Sequence, residues 1–315
     1  MLTILLTIDI DADSFDNSFG DKTKDFEKQW LGLEIGVPLL VNNIFKIKDS
    51  FGNNLVATWF IRADDQIKYY FGRYDYLVLS KISLWKNLIN LGHEIAWHPH
   101  LYELNYNTWV QSTNANSLRI QLLNSYNEFN KAFDKKITTS RIGEAYFSNA
   151  IGSTLDELNI KFDSTALPGR NRIDEQRSFD WIKTKNLPYK PSKKDYSISN
   201  KENYNFIEIP FTMVSSLAEY DKKAINRYLD ISFKHSSIKS GISNVIYDGN
   251  YLNIIIHPST IIPEINKGLK HGLLSFDIIE VEKNLKYITD IAKDRGIQYE
   301  FSTLSKFGNK IKSFI

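Results

Sequence analysis

Short apolar runs alternate with longer amphipathic segments along the whole chain, and this alternation constrains the fold more than any other feature. It is the pattern of a βα-repeating protein with a mostly parallel sheet. Strands are expected at Leu2–Ile8, Leu55–Ile61, His93–Ala96, Ile137–Ile142, Phe206–Ile209, Asn253–Ile256 and Tyr299–Phe301. Helices are expected near Pro38–Lys48, Leu84–Leu91, Ser117–Phe133, Ser148–Leu158, Asp221–Ser237 and Phe276–Arg295, with Gly92 and Gly296 as C-caps. The stretch 168–202 is rich in Lys, Arg, Asn, Ser and Pro and reads as a long surface excursion. No internal repeat and no boundary interrupts the pattern, so a single domain over 1–315 is expected.

In βα folds the active groups sit where strands end. Four expected strands end in such residues: Asp9 and Asp11, His98 and His100, Arg141, and His257. Asp9 and Asp11 are two apart on a strand, so both carboxylates can face one pocket. Such a pair repels unless a cation or an Arg stands between its members. Read alone, Asp11–Asp16 is equally a polar loop that caps the next helix. Three of the six histidines fall within Gly92-His93-Glu94-Ile95-Ala96-Trp97-His98-Pro99-His100, and His-x-His spacing can deliver two imidazoles to one metal. Read alone, it is also a surface His pair beside a Pro turn; His93, ahead of the strand, reads as structural. Arg141 can hold a carboxylate ionised, as a general base requires, or can simply be solvated. His257 ends an apolar run, where a general acid can be held rigidly or a core His can be satisfied.

The chain has no cysteine, so a bound metal must rely on His, Asp or Glu. With 39 basic and 37 acidic residues and no basic block, nucleic acid is not an expected partner. No stretch approaches a membrane span. The opening MLTILLTIDI lacks a positive n-region and carries Asp9. It reads as a buried strand rather than a signal peptide, so a cytoplasmic protein with a cytosolic substrate is expected.

In this order the clusters resemble the polysaccharide deacetylase family (NodB-like, carbohydrate esterase family 4). Thr7-Ile8-Asp9-Ile10-Asp11 is similar to its opening Asp pair, with Ile10 between carboxylates that are commonly adjacent. Gly92-His93-Glu94-Ile95-Ala96-Trp97-His98 is similar to its second motif, and Arg141 with Gly143 to its third. Phe162-Asp163-Ser164, Phe179-Asp180-Trp181, Glu208-Ile209-Pro210, His257 and the closing Gly296–Leu304 stretch match later elements. The resemblance implies an α/β fold, an irregular (β/α) barrel with fewer than eight regular strands. It implies a metal site of one Asp and two His, usually with zinc, which here points to Asp11, His98 and His100. The family's second motif carries its second His four residues after the first; Tyr102 stands there, and His100 comes two residues earlier. Either His100 takes over through a changed loop, or the site holds metal weakly or not at all. The implied activity is a metal-dependent hydrolase that removes an acetyl or formyl group from an amino sugar or glycan intermediate. Asp9 would be the general base, Arg141 its orienting partner and His257 the general acid. Trp97, Tyr102, Tyr146 and Trp181 are candidates to stack on the sugar, and each is equally a candidate core residue. The rival readings are hydrolysis of another C–N bond on the same barrel and a carbohydrate-binding protein whose metal site has decayed.

Overall fold

The computed structural model describes residues 1–13, 30–106, 108–133, 135–173, 178–266 and 272–315. Residues 14–16 of the expected polar loop and 174–177 of the expected excursion lie outside the described residues.

The strands in chain order are β1 (Leu2–Ile10), β2 (Ala57–Arg62), β3 (Glu94–His98), β4 (Tyr102–Asn105), β5 (Thr108–Gln111), β6 (Thr139–Ser140) and β7 (Phe162–Asp163). They continue with β8 (Asn171–Ile173), β9 (Ser178–Asp180), β10 (Ile207–Glu208), β11 (Met213–Ser216), β12 (Ile225–Tyr228), β13 (Tyr251–Ile256) and β14 (Tyr299–Phe301). The main sheet runs β10-β7-β6-β3-β2-β1-β13, with β14 also on β1; β4–β5, β8–β9 and β11–β12 are separate two-stranded pairs. Every strand read from the sequence belongs to the main sheet. β1 and β2 are buried at every position, as strands covered on both faces should be.

By contact the described chain forms two compact units, one from 1–13, 30–58 and 211–303 and one from 59–210 with 304–315. In the first, β1 pairs in parallel with β13, from Thr3↔Tyr251 to Ile8↔Ile256, and with β14 from Leu2↔Tyr299 to Ile4↔Phe301. The helix Ile278–Asp294 starts on Asp277, whose side chain accepts from the Ile279 N–H, and buries Val281, Leu285, Ile288 and Ala292. That is one helical face, and it packs on the helix His235–Val245. In the second unit, β3, β6, β7 and β10 form a parallel ladder, with Trp97↔Ser140, Thr139↔Phe162, Ser140↔Asp163 and Glu208↔Asp163 in register. Helix Ala115–Lys131, capped by Asn114, presents Leu118, Leu122, Tyr126 and Phe129 to this core. Trp97 lies edge-on to Tyr126 at 5.2 Å and donates from its indole N–H to Ser125 Oγ at 2.9 Å.

Gly92 and Gly296 hold φ of 91° and 68°, the left-handed stops expected of them. One expected helix is corrected. Asp221–Ser237 carries strand β12 and only the first turn of His235–Val245. Arg227 forms a two-pronged ion pair with Asp221, at 2.7 and 2.9 Å, and donates to Ser216 Oγ at 3.0 Å. That pairing closes the β11–β12 hairpin and overrides a stretch whose spacing also suits a helix. Among the described residues, no helix is long and apolar enough to cross a membrane.

Candidate active site

The first unit holds two carboxylates and an imidazole. The β1–β13 register pairs Ile8 with Ile256, so Asp9 and His257 are the next residues out at the carboxyl ends of adjacent strands. His257 Nε2 lies 4.0 Å from Asp9 Oδ2 and 3.6 Å from Asp11 Oδ2. One imidazole reaches both carboxylates, so the i, i+2 spacing does put them on one face. Thr7 anchors the strand below by donating to Ile254 O at 2.7 Å. Asp230, missed by the sequence reading, is fully buried here and accepts from Ser232 N and Oγ at 2.8 and 2.6 Å. Burial pushes its carboxyl above the ordinary value; the facing His257 and the Ser232 hydrogen bonds pull it down, while Asp9 pushes it up.

The second unit holds His98, His100 and Arg141, all buried. His98 Nδ1 stands 2.7 Å from Arg141 O, and a carbonyl can only accept. Nδ1 therefore carries the proton, and Nε2 presents its lone pair, the tautomer a metal-ligating His needs. That lone pair faces His100 Nε2 at 3.2 Å. Two imidazole nitrogens on one tetrahedral zinc, each at about 2.0–2.1 Å, sit about 3.3 Å apart. The histidine pair thus fits a shared divalent ion.

His100 is held from three directions. Its N–H donates to Asp64 Oδ2 at 3.2 Å, and Asp64 is itself paired with Arg62 at 2.6 Å. Gly143 packs against the ring so closely that a Cβ at this position would overlap it, and Gly143 N donates to Pro99 O at 2.9 Å. Glycine in Arg141-Ile142-Gly143 is thus a close-approach requirement. Glu144 and Ala145 then continue with left-handed φ of 58° and 54°. The Arg141 guanidinium lies over the Phe60 ring at 4.0 Å and donates to Ser164 O and Oγ at 2.7 and 3.0 Å. Arg62 and Asp64 also stand at a strand end, in Phe60-Ile61-Arg62-Ala63-Asp64, so the rule that found the other residues could have found them.

His93 takes no part in this arrangement. It is buried and accepts from Trp59 Nε1 at 3.3 Å, which makes it structural, as its position ahead of β3 suggests. Burial, helped by the charge of Lys306, lowers its pKa from 6.5 to about 4. Between these values the unfolded chain binds a proton that the folded chain refuses. Stability is therefore complete above about pH 6.5 and falls as pH drops toward 4. Urea denaturation of metal-free protein should show this slope, at no more than about 1.4 kcal/mol per pH unit. His93→Asn, which keeps an acceptor for Trp59, should flatten it; an unchanged slope would assign the pH dependence elsewhere.

Of the two readings open to the four candidate aromatics, the structure selects the core. Trp97, Tyr102, Tyr146 and Trp181 are each no more than 6% exposed. Trp181 is locked by its N–H to Ala145 O at 2.8 Å and by edge contact with Tyr196 at 4.9 Å. They are core residues with no face to offer a ligand.

No family model and no curated protein matches the chain. Solved structures do. A protein described as a polysaccharide deacetylase from Mycobacterium smegmatis is similar over 99% of this chain and 90% of its own, at 15% identity and a TM-score of 0.53. This is the polysaccharide deacetylase fold. A family 4 acetyl xylan esterase from Clostridium thermocellum, in complex with a cobalt ion, is similar over 96% of this chain and 89% of its own, at 13% identity and a TM-score of 0.41. A carbohydrate esterase family 4 pseudoenzyme from Bacillus anthracis is similar over 95% and 63%, at 11% identity and a TM-score of 0.39. In the polysaccharide deacetylase fold of this chain, the irregularity expected of the barrel has a local cause. β6, β7 and β10 are strands of only two residues each.

Proposed function

We propose that this chain is a metal-dependent N-deacylase, removing an acetyl or formyl group from an amino sugar, with Asp11, His98 and His100 as its metal ligands. The observation that carries the reading is the histidine pair: Nε2 atoms 3.2 Å apart, with His98 locked by Arg141 O in the ligating tautomer. An Asp and two His complete the three-ligand set that catalytic zinc normally has. The fold and the order of the sequence motifs support the choice of a carbohydrate amide.

A bound divalent ion would polarise the acyl carbonyl and activate the attacking water. Asp9 takes the proton of that water. Arg141 is the orienting partner of Asp9, its guanidinium steadied by Ser164 and Phe60. His257 Nε2 donates a proton to the departing nitrogen, so that a neutral amine leaves.

Elemental analysis of metal-reconstituted protein tests the site. About one equivalent of zinc is expected, falling to background in His98→Ala and strongly reduced in His100→Ala. Unchanged metal content in His98→Ala would reject the assignment. Background metal in the intact protein would favour the carbohydrate-binding alternative.

A further inference from the structure

The proposed mechanism leaves unused the most deeply buried acidic groups of the second unit. Asp163 on β7 and Glu208 on β10 stand directly opposite one another in parallel register, and neither is exposed at all. Glu208 Oε1 accepts the N–H groups of Thr165 and Ala166 at 2.9 and 2.8 Å. Asp163 Oδ1 accepts from Ser140 Oγ at 2.6 Å. The remaining oxygens, Asp163 Oδ2 and Glu208 Oε2, are buried and meet no hydrogen-bond donor. Ionised carboxylates can only accept, so these oxygens can be satisfied across the strand pair only when one of the two carries a proton. Two unscreened charges across adjacent strands would also repel strongly where no water reaches.

We propose that Glu208 is a neutral carboxylic acid that shares its proton with Asp163, and that it acts as a positioning residue for Arg141. The pair then carries one negative charge in all, which faces the Arg141 cation. The mechanical link is short. Glu208 grips the backbone of the 164–166 turn through Thr165 and Ala166. That turn holds Arg141 through Ser164 O and Oγ, and holds the next residue through the Ile142 N–H to Thr165 Oγ1 bond at 2.8 Å. Ser164 Oγ also donates to Ile209 O at 3.0 Å, so β10 grips the turn a second time. Burial raises both carboxyls, and the charge of Asp163 raises Glu208 further, which agrees with Glu208 holding the proton. The part played by Arg141 rests on the deacylase reading above; the shared proton does not.

The experiment has two arms. Infrared spectroscopy of the full chain at pH 8 should show the carbonyl stretch of a protonated carboxylic acid, shifted on carboxyl ¹³C labelling of glutamate and absent in Glu208→Gln. No such band, or a band that survives in Glu208→Gln, overturns the shared proton. Kinetics on an N-acetyl amino-sugar substrate form the second arm. Glu208→Gln reproduces the neutral acid, with an amide donor toward Asp163 and an oxygen toward Thr165 and Ala166, and should keep kcat within about threefold. Glu208→Ala loosens the turn and should lower kcat on the order of 100-fold with little change in KM, the scale of a misplaced catalytic group. Equal losses in the Gln and Ala variants would overturn the positioning role. Should the Ala variant fail to fold, a large kcat loss in Glu208→Gln alone overturns it. A chain without deacylase activity would still show or lack the infrared band, so failure of the activity reading and failure of this one are distinguishable.

Discussion

Asp9→Asn is expected to lower kcat by about 100- to 10,000-fold, the usual cost of losing a general base. The amide is nearly the size of the carboxylate but cannot accept the proton of the attacking water. Metal content should stay near that of the intact protein, because Asp9 is assigned as base and Asp11 as ligand. Titration with zinc alongside turnover reads both quantities. Loss of metal in Asp9→Asn with retention in Asp11→Asn would mean that the two roles are exchanged.

His257→Ala is expected to separate two substrates that share the site. An amide needs a proton on the departing nitrogen, because an amine anion is a far worse leaving group than a neutral amine. The aryl alkoxide of an activated acetate ester leaves with little help. Hydrolysis of an N-acetyl sugar should therefore fall by about 100-fold or more, and hydrolysis of the activated ester by much less. Metal content should not change. The geometry sharpens this test, since His257 Nε2 faces both Asp9 and Asp11, at 4.0 and 3.6 Å. Equal losses on the two substrates would reduce His257 to a pocket-shaping residue. Loss of metal would make it a ligand.

Most of the framework follows from local pattern. A run such as Leu2–Ile10 is apolar because both faces of a central parallel strand are covered, and this is visible in the residues themselves. The same holds for the placement of Asp9 and Asp11 on one face, which needs only the two-residue period of a strand. His98 and His100 are legible as a pair for the same reason, and Gly92 and Gly296 as helix stops because a left-handed residue needs no tertiary contact to be favourable there.

What the sequence hid depends on distance along the chain. β7 has two residues, too few to show a period, and exists because β6 and β10 pair with it on either side. Asp221–Ser237 reads as a helix from its spacing, and the Arg227–Asp221 ion pair holds it in a hairpin instead. Aromatic residues beside the motifs looked available to a sugar, and packing buried them. The two compact units are each assembled from separate stretches, so no shift in composition along the chain marks either one. The sequence by itself determined which polar and ionisable residues stand at each strand end, because strand period and turn preference are local. Tertiary structure alone decided how those groups are held: His98 in one tautomer by a carbonyl 43 residues away, and Asp163 opposite Glu208 across a strand pair. Proton position and ligand geometry are set by partners in space, and neighbours in sequence do not specify them.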